Sequence, residues 1–122
     1  MKKVIIILSF AALLSSCGSE YTAVDKYGDA EQKYEYAKEC FAVGKFQNAV
    51  SLLEDLVTMK KGTEEAQECL YMLAMAQYCN TDYEAASETF KKYTLSYPRG
   101  VFAESAAFYV GQSLYECAPE PR

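Results

Sequence analysis

The sequence predicts an all-α chain: a solenoid of about two and a half helix pairs behind a secretory leader. Three observations carry that reading. Apolar residues recur at helical spacing in five successive segments, and no alternating strand pattern appears. The segments superimpose when the chain is slid over itself by 37 positions. A short apolar run follows two lysines at the amino terminus.

The leader comes first in the chain. Lys2 and Lys3 make a positive start, and Val4 to Leu14 make an apolar run of eleven residues. A membrane-spanning helix needs about 20 apolar residues, so this run reads as a signal peptide. It closes on Leu14-Ser15-Ser16-Cys17. Small residues before a cysteine, with leucine three positions back, resemble the lipobox of bacterial lipoproteins. The resemblance implies cleavage between Ser16 and Cys17, and lipid on the Cys17 thiol and on the new amino terminus. Each buried methylene contributes about 0.8 kcal/mol, so two or more acyl chains hold a domain on a membrane almost permanently. The predicted organisation is therefore a lipoprotein signal peptide over 1–16, a lipidated tether over 17–28, helical repeats over 29–117, and a loop or truncated end over 118–122.

Composition narrows the chemistry. Removing residues 1–16 takes away Lys2 and Lys3 and no acid, which leaves 10 basic against 17 acidic residues, a net charge of −7. An acidic body argues against nucleic acid or anionic lipid head groups as partners. The absence of histidine removes the usual general base and the commonest metal ligand. No nucleophile–base pair and no phosphate-binding glycine loop is present, so we expect no catalytic residue, no metal, no cofactor beyond the lipid on Cys17, and no enzyme. Cys40, Cys69, Cys79 and Cys117 are spaced by 29, 10 and 38 residues, which matches no metal motif. They read as small apolar residues packed in helices. An oxidising compartment permits a disulfide, and spacing selects no pair.

The first repeat begins near Asp29. Tyr36, Ala37, Cys40 and Phe41 form an apolar stripe to Ala42, and Gly44 breaks the chain. Phe46, Ala49, Val50, Leu53, Leu56 and Val57 form the second stripe, ended by Gly62. Thr63 to Tyr78 and Tyr83 to Tyr97 repeat the arrangement. Thr81 with Glu84 reads as a capping box for the fourth helix. Pro98 stops that helix, Gly100 lets the chain reverse, and Val101 to Glu116 makes a fifth. Eight columns align at 37. They include Tyr34/Tyr71/Phe108, Ala37/Ala74/Gly111, Phe41/Tyr78/Tyr115, Ala49/Ala86, Leu53/Phe90 and Leu56/Tyr93. The small residues mark places where two helices approach closely.

That small–large pattern resembles the tetratricopeptide repeat, whose helix pairs stack into a superhelix. Three residues beyond the usual 34 fall near Lys60 to Gly62 and Tyr97 to Arg99. Lys33 stands at the family's first tryptophan-like position, a departure. The fifth helix has no second helix after it within the chain, so the sequence reads as part of a longer array or as a face covered by a partner. A solenoid offers a concave face lined by the first helix of each pair. Residues seven apart share a helix face, so Tyr34 with Phe41, Tyr71 with Tyr78 and Phe108 with Tyr115 would form two aromatic rows. These either fill the core between helices or line a peptide-binding groove.

Lipobox, tether, slightly long repeat pairs, Leu52-Leu53-Glu54-Asp55-Leu56-Val57 and Tyr97-Pro98-Arg99-Gly100 together resemble the BamD family of outer-membrane protein assembly lipoproteins. The resemblance covers nearly all of the mature chain, as an amino-terminal portion. It implies an outer-membrane adaptor facing the periplasm that binds unfolded β-barrel substrates and subunits of the barrel-assembly complex. The alternatives are another repeat-built envelope scaffold lipoprotein, or the repeat platform of a nutrient-uptake lipoprotein.

Overall fold

The computed structural model describes residues 20–119. The signal peptide, Ser16, Cys17 and residues 120–122 lie outside them. A helical stretch over 20–27 leads into five helices: α1 (Ala30–Ala42), α2 (Phe46–Met59), α3 (Glu64–Cys79), α4 (Tyr83–Ser96) and α5 (Ala103–Cys117). No strand occurs among the described residues. Each helix packs on the next in sequence order, the neighbour-to-neighbour logic of a solenoid. The predicted bounds hold to within a residue or two. Part of the predicted tether is itself structured: Tyr21 and Val24 pack on the first core, and Tyr21 stacks on Tyr36 at 6.3 Å.

Two apolar cores share α3. One joins α1, α2 and α3 through Ala37, Leu53, Leu56 and Cys69. The other joins α3, α4 and α5 through Ala74, Phe90, Tyr93 and Ala106. The central helix therefore buries residues around much of its circumference, from Ala66 to Gln77. The columns predicted from the repeat behave alike: Ala37, Ala74, Ala49 and Ala86 are all 0% exposed, as are Leu53, Phe90, Leu56 and Tyr93. Gly111 is the exception. It is exposed, and a Cβ there would meet nothing within 4 Å, because no described helix covers that side of α5.

The helix ends correct one expectation. Thr81 does not cap α4 with Glu84. The N-cap is Asp82, and it makes no side-chain cap bond. Thr81 stands one repeat after Gly44, and both adopt left-handed backbone, at φ 63° and 83°. Each closes the preceding helix with the same bond: Lys45 N–H donates to the Cys40 carbonyl at 2.8 Å, and Asp82 N–H to that of Gln77 at 2.9 Å. A residue committed to that turn is not placed to cap the next helix. The capping box belongs to α1 instead. Asp29 accepts from Gln32 N–H at 2.9 Å, and Gln32 accepts from Asp29 N–H at 3.1 Å.

Among the described residues two lysines are buried, Lys33 and Lys60. Lys33 sits at the tryptophan-like position, and its ammonium reaches Asp55 on α2 at 2.6 Å. The long stem fills apolar space while the charge finds a carboxylate.

Candidate functional site: the first-helix face

The tyrosine column ties successive first helices together. The Tyr34 hydroxyl on α1 donates to Glu68 on α3 at 2.7 Å. The Tyr71 hydroxyl on α3 meets the Ser105 hydroxyl on α5 at 2.6 Å. Glu68 and Ser105 are themselves one repeat apart. The same side-chain bridge thus recurs, and it sets α1, α3 and α5 along one face.

The two bridges carry different surroundings. Tyr34 is only 7% exposed. The ammonium groups of Lys38 and Lys60 lie 4.3 and 4.9 Å from its ring centroid. Lys60 also pairs with Glu65 and, at 3.5 Å, with Glu31. The hydrogen bond to Glu65 holds Lys60 in its charged form. Burial, with the Glu68 carboxylate second, pushes the Tyr34 phenol well above its ordinary range. Tyr34 is therefore a covered joint between helices and does not line an open groove. Tyr71 is half-buried. Its ring stacks on Phe102 at 4.4 Å and 11°, and meets Phe90 and Tyr93 edge-on.

The second row splits in the same way. Phe41 meets Phe46 edge-on at 5.6 Å, and Tyr78 meets Tyr83 edge-on at 5.2 Å, one contact repeated at 37. Both reach the second helix of their own pair, and Tyr78 also meets Tyr109 on α5 edge-on at 5.2 Å. The last member of each row, Phe108 in the first and Tyr115 in the second, is open, at 62% and 75% exposed. The six predicted aromatics therefore do not form one continuous surface.

A smaller site does form on this face. Phe41, Glu68, Tyr71, Met72, Met75 and Phe102 line an open cavity of about 200 Å³. Apart from Glu68, every lining side chain is apolar or aromatic, and the Glu68 carboxylate already accepts from Tyr34. Phe41 and Tyr71 were predicted to line a groove. Phe102 and Met72 were not, because neither belongs to an aromatic column. Phe102 had one signal: it stands two residues after the Tyr-Pro-Arg-Gly turn, where the chain must re-enter the helix stack.

The cysteines divide. Cys40 and Cys69 are buried, Cys79 and Cys117 are exposed at the ends of α3 and α5, and all four are free. Packing inside the helices therefore holds for the first two only. Burial pushes the Cys69 thiol up to about 11. Among the described residues, no group of histidine, cysteine or acidic side chains is arranged to hold a metal, and no helix is long and apolar enough to cross a membrane.

The family model YfiO, described as an outer membrane lipoprotein, matches residues 26–122. The chain belongs to the YfiO family. No curated protein and no solved structure matches it. Membership makes this a BamD-like outer-membrane lipoprotein and puts its work in protein–protein interaction during outer-membrane assembly. All five helices fall within the matched span.

Proposed function

We propose that this YfiO-family chain is a non-enzymatic adaptor of β-barrel assembly, anchored by lipid on Cys17 and facing the periplasm. Its first-helix face receives unfolded segments of outer-membrane barrel proteins. One observation supports this above the others: an apolar cavity open on the face where α1, α3 and α5 lie side by side. Barrel strands alternate apolar and polar side chains. An extended segment can then place one apolar side chain in the cavity while its neighbours stay in water.

The test is site-specific photo-crosslinking in cells. A photoreactive amino acid at Met75 should trap barrel-protein precursors, identified by mass spectrometry. The same amino acid at exposed Glu88 on α4 should not. Equal yields of barrel precursors from both positions, or none from Met75, defeat the proposal.

A further inference from the structure

One wall of the cavity is held by a hydrogen-bond clamp that the repeat does not contain. A single oxygen of Gln67, on α3, accepts from the Tyr93 hydroxyl at 2.6 Å and from the Val101 amide at 3.0 Å. The Tyr93 oxygen accepts in turn from the Phe102 amide at 3.1 Å. Tyr93 is fully buried, so the clamp is rooted in the core. The turn beneath it is tight: a Cβ on Gly100 would lie 2.5 Å from the Tyr93 oxygen and 2.6 Å from that of Gln67. Two successive amides are thus caught just before α5, and the Phe102 ring lies flat on Tyr71.

The first joint lacks all of this. One repeat earlier, Ala30 stands for Gln67, Leu56 for Tyr93, Thr63 for Gly100 and Glu65 for Phe102. There the tyrosine ring is covered by lysine ammonium groups. The aromatic wall is therefore particular to the second joint, and Gln67 holds it without touching the cavity.

We infer that Gln67 is a positioning residue that sets the cavity's preference for one aromatic side chain of the bound segment. The inference rests on the proposed function above. A cavity of about 200 Å³ is smaller than the ~300–1,000 Å³ of small-molecule sites, and it suits a single side chain. Three rings and two thioethers favour a flat aromatic guest over a branched aliphatic one. That preference requires Phe102 to stay in place.

The experiment uses the purified full-length protein and two fluorescein-labelled nine-residue peptides of threonine and serine, one with a central phenylalanine and one with a central leucine. Affinity is read by anisotropy, and exchange of the Val101 and Phe102 amides by hydrogen–deuterium exchange. The wild type should favour the phenylalanine peptide by about tenfold, the ratio that 1.4 kcal/mol of discrimination produces. Gln67→Leu should speed exchange at both amides and remove most of that preference. Gln67→Glu keeps the acceptor and should restore protection and preference together. Where circular dichroism shows Gln67→Leu unfolded, Tyr93→Phe carries the test: it removes the acceptor of the Phe102 amide and the hydroxyl that donates to Gln67, and leaves the Val101 amide its bond to Gln67. Faster exchange with the preference intact overturns the positioning role, as does unchanged exchange. Loss of preference in Tyr71→Ala but not in Gln67→Leu overturns the role of Gln67 and leaves the groove standing. A wild type that binds neither peptide overturns the groove reading as well.

Discussion

Tyr34 and Tyr71 occupy one column of the repeat and have different jobs. Tyr34→Phe removes a hydrogen bond to a half-buried carboxylate. It should lower stability by ~1 kcal/mol and leave peptide affinity unchanged. Tyr71→Ala removes a wall of the cavity and should cost ~1–3 kcal/mol of binding. Phe90→Ala, at a fully buried site, should cost ~3–5 kcal/mol of stability. Melting temperature and affinity measured on the same samples separate the three. If Tyr71→Ala unfolds the protein as severely as Phe90→Ala, its ring is core and not cavity wall. Cysteine burial has its own test. Iodoacetamide at pH 8 should label Cys79 and Cys117, which are exposed in the native protein, and spare Cys40 and Cys69, which are buried out of the reagent's reach. Burial of the Cys69 thiol also makes stability depend on pH. The unfolded Cys69 thiol loses its proton near 9.0, while the folded one keeps it to about 11. The unfolded state then binds fewer protons, so stability falls as pH rises. Its contribution is complete below pH 9 and is lost between pH 9 and pH 11. Tyr34 acts in the same direction from 10.0 upward. A melting temperature that stays level across that window contradicts the assignment.

Helices in this chain are defined by how they end and by where they can be crossed. Ala49 and Ala74 are fully buried at helix crossings. Replacing either with leucine should destabilise by ~1–3 kcal/mol through overpacking. Glu88→Leu on the exposed side of α4 should change little. Thermal melts of the three variants check the alignment column by column. Thr81 offers the opposite effect. A β-branched residue with φ 63° is in a region that disfavours a side chain by roughly 1–2 kcal/mol. Thr81→Gly gives the turn the residue that Gly44 already supplies one repeat earlier. It should raise stability by about 1 kcal/mol, read as an increased midpoint in urea with an unchanged slope. A lower midpoint would show that the threonine side chain contributes more than its backbone strain costs.

At the scale of the whole molecule, α3 couples two cores into one stack. The first joint is ionic, with Lys60 between Glu31, Glu65 and the Tyr34 ring, while the second is aromatic. This asymmetry puts the cavity wall on the second joint alone. The anchor proposed on Cys17 would act on the molecule as a unit. Cys17→Ala should move the protein from the membrane to the soluble fraction, because no described helix can span a bilayer and the acidic body is repelled by anionic lipid. Fractionation with mass spectrometry of the wild-type amino terminus checks this. A mature chain without acyl mass, starting elsewhere than Cys17, would sink the anchor.

Sequence alone determined the helices, their pairing and the small–large columns at Ala37, Ala49, Ala74 and Ala86. These follow from periodicity, and periodicity is local: a helix face needs only the residues of its own helix, and a repeat needs only self-comparison. The family was legible too, through the resemblance of Leu14-Ser15-Ser16-Cys17 to a lipobox and through the Tyr-Pro-Arg-Gly turn. What each aromatic does was not. The column Tyr34/Tyr71/Phe108 is uniform in sequence, yet one ring lies under two lysines, one under Phe102 and one in the open. Lys38 comes from the ring's own helix, Lys60 from the end of α2 in the same pair, and Phe102 from the start of the next pair, about thirty residues on, and all three lie outside the repeated columns. The cavity and its Gln67 clamp were invisible for the same reason. Only tertiary structure decided them, because a ring's exposure depends on the helix packed over it as well as on the helix that carries it.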